Sequence, residues 1–304
     1  MKVWEDSHML KSPNYCKSME NGSLFGATFM SLYNPYFVVL NMGINTIIEE
    51  HKDRLITLDP ILDQEKQNKQ ILDLINKDVK AIFLTPVDWI KVEPALVACK
   101  EANMPVFNID SEVFNSNLVV AIIASDNYQI GVKIANNMME RRKAAKIVIL
   151  DFPPTKSSID RVQGFLDTIA GKPQYEVIAR ESGGNLFEVS KNVMERLLKE
   201  FEDIDVVMGS NDITALGALT ALEDVGRAED TLIYGVDGSP EAKFLVEEGK
   251  MTGTVAQFPI EMGMTSAEIA YAYLEGDKIE KRIFIPTVLI TKENIYDFGV
   301  VGWQ

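Results

Sequence analysis

Cysteine and histidine are nearly missing from this 304-residue chain, which has two of each. A zinc cluster needs three or four such ligands, so that chemistry is excluded. Two cysteines also cannot build the disulfide scaffold of a small secreted domain. Positive charge is scarce: 30 Lys and Arg face 45 Asp and Glu, and 30 − 45 gives a net charge of −15. Nucleic-acid binding needs a basic face to displace counterions from phosphate, and docking on anionic lipid needs one too, so neither partner fits. No apolar run reaches the roughly 18–20 residues that cross a bilayer. Neither GxxxxGK[ST] nor a GxGxxG at a strand–helix junction is present, so no glycine-rich phosphate loop can be argued. The N-terminal stretch through Ser23 is polar and mixed in charge, with no apolar segment or small-residue cleavage site. It reads as a tail without a signal peptide. Cys16 follows Pro13-Asn14-Tyr15, which is not the small apolar run of a lipid-anchor site, and Cys99 lies in an apolar helical stripe.

What the chain does have is alternation. Strand-length apolar runs fall at Leu24–Leu32, Arg54–Leu58, Ala81–Thr85, Val106–Ile109 and Val119–Ala124. They continue at Lys146–Leu150, Tyr175–Arg180, Val206–Gly209, Leu232–Val236, Gly253–Ala256 and Ile283–Thr291. Most are β-branched and apolar throughout, as strands covered on both faces of a parallel sheet are. Helix-period stretches separate them. The pattern is α/β, doubly wound. Eleven strands exceed one comfortable open sheet, so two lobes are expected.

Ligands of open α/β sheets sit beyond the carboxyl ends of the strands. The residues there are Asn34-Pro35-Tyr36-Phe37, Asp88-Trp89, Asp110-Ser111, Ser125-Asp126-Asn127, Ser157-Ser158 with Arg161, Ser210-Asn211-Asp212, Asp237-Gly238-Ser239 and Gln257-Phe258. Planar amides, carboxylates and a guanidinium bond neighbouring hydroxyls in fixed forks. Aromatic faces cover the C–H face of a sugar ring. The set fits an uncharged polyhydroxylated ligand better than a phosphate. Taken singly, Asn34, Asp126, Asn211 and Asp237 read better as helix N-caps than as ligand groups, and Tyr36 and Phe37 better as core. Arg161 and Gln257 are harder to explain without a site, because a cation near a helix start opposes the macrodipole.

Together these segments resemble the sugar-binding substrate-binding proteins of bacterial ABC transporters, the periplasmic binding protein type I family, with ribose-binding proteins the nearest group. The resemblance runs over about residues 24–291. It rests on Asn34-Pro35-Tyr36-Phe37, Ala124-Ser125-Asp126-Asn127, Arg161-Val162-Gln163-Gly164-Phe165, Asn211-Asp212, Gly235-Val236-Asp237-Gly238 and Ala256-Gln257-Phe258-Pro259. It implies two Rossmann-like lobes joined by a three-strand hinge. One lobe comprises 1–125 plus 258–288, with 1–23 as a tail, and the other 126–257 plus 289–304. It implies a ligand site formed by Asn34, Tyr36, Phe37, Asp110, Arg161, Asn211, Asp237 and Gln257, to which the strand-end reading adds Trp89 and Asp126. Ser111 stands where ribose binders carry Arg, and Phe187 or Asn185 is a candidate for a further ligand position.

The function so implied is an extracytoplasmic, monomeric solute-binding protein. It takes a monosaccharide or polyol into the interlobe cleft and delivers it to an ABC permease, without metal or cofactor. The export signal is absent from this sequence. No nucleophile–base pair stands out, so an enzyme is not indicated. Two alternatives share the fold: a sugar-sensing partner of a receptor, and the effector domain of a transcription regulator. The latter would need about sixty further residues for its DNA-binding part before the first strand.

Overall fold

A computed structural model describes residues 22–304. Cys16, His8 and most of the polar tail therefore lie outside the described residues. Twelve strands form two six-stranded sheets. The first contains β1 (Leu24–Thr28), β2 (Arg54–Leu58), β3 (Ile82–Leu84), β4 (Val106–Ile109), β5 (Ala121–Ser125) and β11 (Arg282–Ile285), in the order β11-β5-β4-β3-β1-β2. The second contains β6 (Ala145–Asp151), β7 (Tyr175–Ser182), β8 (Val206–Gly209), β9 (Leu232–Asp237), β10 (Gly253–Ala256) and β12 (Val288–Thr291), in the order β12-β10-β9-β8-β6-β7. Every pairing is parallel except that of β10 with β12.

Burial explains the apolar strand sequences. Phe83, Phe107 and Ile123 of the first sheet, and Ile147, Val207 and Val255 of the second, are fully covered. Helices supply that cover on both faces: α1 (Pro35–Glu50), α2 (Gln64–Asn76), α3 (Glu93–Glu101) and α9 (Pro259–Glu275) on the first sheet. The second is covered by α4 (Asn127–Arg141), α5 (Lys156–Ile169), α6 (Phe187–Glu200), α7 (Asp212–Asp224) and α8 (Pro240–Glu247), while the short α10 (Ile295–Phe298) packs beside β12.

The chain passes between the sheets three times: after β5, after β10, and between β11 and β12. The last crossing differs from the sequence expectation. Ile283–Thr291 reads as one strand, but it is two strands in different sheets. Pro286 has no N–H to donate to a ladder, so the run breaks there. At the second crossing Phe258 takes φ +55°, a left-handed conformation that a bulky side chain adopts only where its surroundings impose it.

Helix contact is unusually close at two places. A Cβ on Gly43 of α1 would lie 2.4 Å from the Ile260 carbonyl of α9, and one on Gly263 of α9 would lie 2.1 Å from the Leu40 carbonyl. The other lobe repeats the device, with Gly131 of α4 against the backbone of Arg161 and Gly164 of α5 against that of Tyr128. Backbone therefore meets backbone, which only glycine permits.

Candidate functional site

In both sheets the first strand in sequence lies between its second and third partners, so helix connections leave in opposite directions on its two sides. A crevice opens at the strand carboxyl ends there. The two crevices face one another and enclose about 550 Å3 of space, part of it open to solvent.

The first sheet contributes Asn34, Tyr36 and Phe37 after β1 and Asp110 after β4, and the second contributes Arg161, Asn211, Asp237 and Gln257. These eight sequence-expected residues line one cavity. Seven are buried, and Asn34 is half-buried.

A chain of hydrogen bonds orders the polar wall. Arg161 donates from Nε to Asn127 Oδ1 (2.8 Å), from Nη1 to the Ser210 carbonyl (2.6 Å) and from Nη2 to Gln257 Oε1 (2.9 Å). Three of its five donor hydrogens are thus held by the protein, and the remaining guanidinium face is fixed in direction. Gln257 Nε2 donates onward to Asp237 Oδ1 at 2.8 Å. Asp237 Oδ2 then accepts from Asn34 Nδ2 at 3.5 Å, across the cleft. The position of Gln257 now has a cause: one amide satisfies a buried cation and a buried carboxylate at once. Two further bonds set the loop after β9. Asp212 accepts from the Ser239 amide (2.8 Å) and from Thr254 Oγ1 (2.6 Å). Asp237 is held there at φ +126°.

Asp110 is the counterpart in the first lobe. Its backbone is also left-handed, at φ +66°. Its Oδ1 is buried without a hydrogen-bond partner, a costly state for a carboxylate and one that a ligand hydroxyl would relieve. Burial pushes the Asp110 carboxyl up to about 6, against the pull of the Arg161 guanidinium and then of the Tyr36 hydroxyl. Burial likewise raises Asp237 well above the carboxylate range, reinforced by Asp212 and opposed by Arg161. Asp212 behind it rises to about 7, again through burial. Two strained aspartates, one on each sheet, therefore present acceptors to the same space.

The apolar wall is aromatic. Tyr36 and Phe37 are set edge to face at 5.3 Å, Phe29 stacks on Phe37 at 5.9 Å, and Trp303 meets Tyr36 from behind at 6.0 Å.

The capping alternative is correct for three residues. Asn34 accepts from the Tyr36 amide, Asp126 from the Gln129 amide and Asn211 from the Thr214 amide. Asn34 and Asn211 cap with their carbonyl oxygen and keep an amide NH2 for the cavity. Asp237 caps nothing; Ser239 caps α8.

Two expected residues are not brought to the cavity. Asp126 is exposed, its carboxylate taken by the cap; its neighbour Asn127 turns inward to hold Arg161 instead. Trp89 packs on Phe114 away from the lining. Of the two candidates after β7, Asn185 lines the cavity and accepts from Ser210 Oγ at 2.8 Å, whereas Phe187 does not line it. Met30, Ser31, Tyr33, Leu62, Thr155, Ser157, Ser158, Leu186 and Ser210 also line it. Of these, only Ser157, Ser158 and Ser210 fall in the strand-end set, and no sequence signal marks Leu62 or Leu186.

Among the described residues, no group of three or more His, Cys, Asp or Glu could hold a metal ion, and no helix is long and apolar enough to cross a membrane.

Comparison with known proteins agrees with this architecture. Residues 25–278 match the family model described as the periplasmic binding protein domain, so the chain belongs to that family. The ribose import binding protein of Bacillus subtilis is 32% identical over 292 residues, covering 93% of this chain and 93% of its own. That of Salmonella typhimurium is 31% identical over 268 residues, covering 86% and 88%. Among solved structures, an ABC transporter solute binding protein from Bacillus halodurans with bound myo-inositol has a TM-score of 0.84 at 25% identity, covering 91% of this chain and 96% of its own. The periplasmic binding protein component of the arabinose ABC transporter from Shewanella, bound to L-arabinofuranose, has a TM-score of 0.84 at 27% identity, covering 91% and 94%.

Proposed function

We propose that this periplasmic binding protein captures a monosaccharide or polyol between its two lobes and hands it to an ABC permease. The lobes are residues 22–125 plus 258–287 and residues 126–257 plus 288–304, because β12, which begins at Val288, pairs in the second sheet. They close about the three crossings. Ligand residues are Asn34, Tyr36, Phe37, Asp110, Arg161, Asn211, Asp237 and Gln257, with Asn185 added. The protein acts outside the cytoplasm as a monomer, and nucleic acid is no partner.

The observation that carries this reading is the division of the cavity. Asp110, with its unpartnered buried oxygen, belongs to one sheet. The Arg161–Gln257–Asp237 chain belongs to the other. A ligand can favour the closed arrangement only by contacts that the open one lacks, and a hydroxylated ring touching both walls supplies them. Tyr36 and Phe37 give that ring an apolar face. Carboxylates accept from ligand hydroxyls, and the free N–H groups of Arg161 donate to them. Each hydrogen bond to a charged group contributes about 1.5–3 kcal/mol. Several of these, less the cost of association, reach about −8 kcal/mol, or micromolar binding. The names of the relatives, which specify ribose, myo-inositol and arabinose, point the same way.

A thermal-shift screen of pentoses, hexoses, polyols and amino acids tests the reading. A saturable rise with one neutral polyol, confirmed by calorimetry and with the ligand recovered intact by mass spectrometry, supports it. A response only to amino acids or to an anionic compound, or turnover of the ligand, overturns it.

A further inference from the structure

Trp89, absent from the cavity, sits where the two lobes meet. Its amide donates to the Pro154 carbonyl at 2.9 Å, and the Lys156 ammonium lies 5.9 Å from its ring centroid. Trp89 follows β3 of the first sheet, whereas Pro154 and Lys156 follow β6 of the second. A third contact runs beside them, from the Ser157 amide to Ser111 Oγ at 3.3 Å. Each is a direct contact between atoms of the two lobes.

Both partners are stiff before they meet. On the first lobe, Asp88 accepts from the Ile90 and Lys91 amides, and Gln64 Oε1 accepts from the Asp88 amide. The Trp89 carbonyl accepts from the Phe114 amide at 2.8 Å, and the two rings pack edge to face at 5.3 Å. On the second lobe, Pro153 and Pro154 restrict the chain, Thr155 bonds back to Phe152, and Lys156 is paired with Asp160 at the start of α5. Two pre-ordered surfaces lose little entropy on meeting. A loop that served only its own lobe would have no use for the outward-facing amide or for the cation over its ring.

We infer that Trp89 is a positioning residue, a latch that favours the closed arrangement of the lobes whether or not ligand is bound. It sets ligand affinity through closure, without touching the ligand. Only this consequence for affinity rests on the function proposed above.

Two variants test the latch: Trp89→Ala removes the ring, and Lys156→Met removes the cation but leaves the first-lobe loop intact. Small-angle scattering of the ligand-free proteins should show a larger radius of gyration for Trp89→Ala than for the wild type, with Lys156→Met between them. The Trp89 amide should exchange faster with solvent in Lys156→Met. Ligand affinity should fall about three- to tenfold in Trp89→Ala, through faster dissociation, given the usual strength of a cation–π contact and its packing. Trp89→Phe should restore most of it. An unchanged radius and unchanged amide exchange in folded Lys156→Met overturn the latch, even if Trp89→Ala fails to fold. A changed radius in a protein that binds no polyol keeps the latch and sinks the proposed function; unaltered radius with intact polyol binding does the reverse.

Discussion

Asn34 and Asp237 meet across the cleft: Asn34 Nδ2 donates to Asp237 Oδ2 at 3.5 Å, between residues 203 positions apart. That length is at the weak end of hydrogen bonding. The pair joins the lobes loosely, at a point where a ligand hydroxyl can strengthen the join. Asn34 reaches it because its other amide atom is anchored on the Tyr36 amide; Asp237 because Gln257 holds its second oxygen.

Gln257 should therefore matter more than a neutral side chain usually does. Gln257→Ala releases Arg161 and Asp237 together. We expect ligand affinity to drop at least tenfold, with a stability loss of about 2–3 kcal/mol from two buried polar groups, a guanidinium and a carboxyl, deprived of a partner. Calorimetry and denaturant unfolding read the two effects separately. Unchanged affinity would remove Gln257 from the site.

Asp110→Asn and Asp237→Asn keep the shape of each carboxyl group and replace one of its acceptor oxygens by an amide donor. Each should weaken polyol binding by about 10- to 150-fold, the equivalent of one hydrogen bond of about 1.5–3 kcal/mol. Full affinity in both variants, measured by calorimetry, contradicts the site.

Stability and affinity should depend on pH in opposite senses. The Asp110 carboxyl lies near 6 in the fold against an ordinary 3.8, because burial favours its neutral form. Its contribution to stability is complete below about pH 4 and is lost as the pH rises through 6, a change of about 3 kcal/mol at most. Asp212, raised to about 7, acts in the same direction. Glu293, held near 2 largely by hydrogen bonds from Thr291 and Arg141, loses its contribution only below pH 4.5 and leaves this window clear. The ligand-free melting temperature should thus rise between pH 7.5 and 5, and Asp110→Asn should flatten that rise. Polyol affinity should instead weaken toward pH 5, as the neutral carboxyl gives up an acceptor site. A wild-type slope retained in full by Asp110→Asn refutes the assignment.

Gly131→Ala places a methyl group 1.9 Å from the Arg161 carbonyl. The α4–α5 contact must open, at a cost of about 1–3 kcal/mol, and Arg161 moves with it. Both melting temperature and affinity should fall. Gly43→Ala strains the α1–α9 contact without touching Arg161, so its fall in melting temperature should come with a smaller loss of affinity.

Cys99 should resist thiol reagents until the protein unfolds. It is fully buried on the inward face of α3, and burial pushes its thiol up to about 12, so almost no thiolate exists at neutral pH. Labelling of a Cys16→Ser variant under native conditions checks this, and rapid reaction there argues that α3 opens locally.

Much of this was legible from residue order. The buried strands announce themselves because β-branched runs such as Ala121–Ser125 have few other uses, and the residues beyond them form the cavity. What could not be read is what depends on a turn of a few tens of degrees. Asp126 and Asn127 are adjacent and chemically alike. The helix cap consumes the first and rotates the second onto Arg161, and sequence does not resolve that single step. The roles of Leu62 and Ser210 depend on how loops from separate segments face each other. Trp89 shows that an aromatic at a strand end reads the same whether it faces a ligand or the opposite lobe. Ile283–Thr291 reads as one strand because its apolar residues continue on both sides of Pro286.

The pairing of β11 with β5 has a consequence for how the protein is made. The first sheet is finished by residues 282–285, which register with Ile122–Ser125. As the chain leaves the ribosome, β5 remains a bare edge until more than half of the sequence has followed it. Unpaired edges template aggregation. A chain interrupted anywhere in the second lobe should therefore be insoluble rather than half-folded, so solubility itself reports that synthesis has passed Ile285.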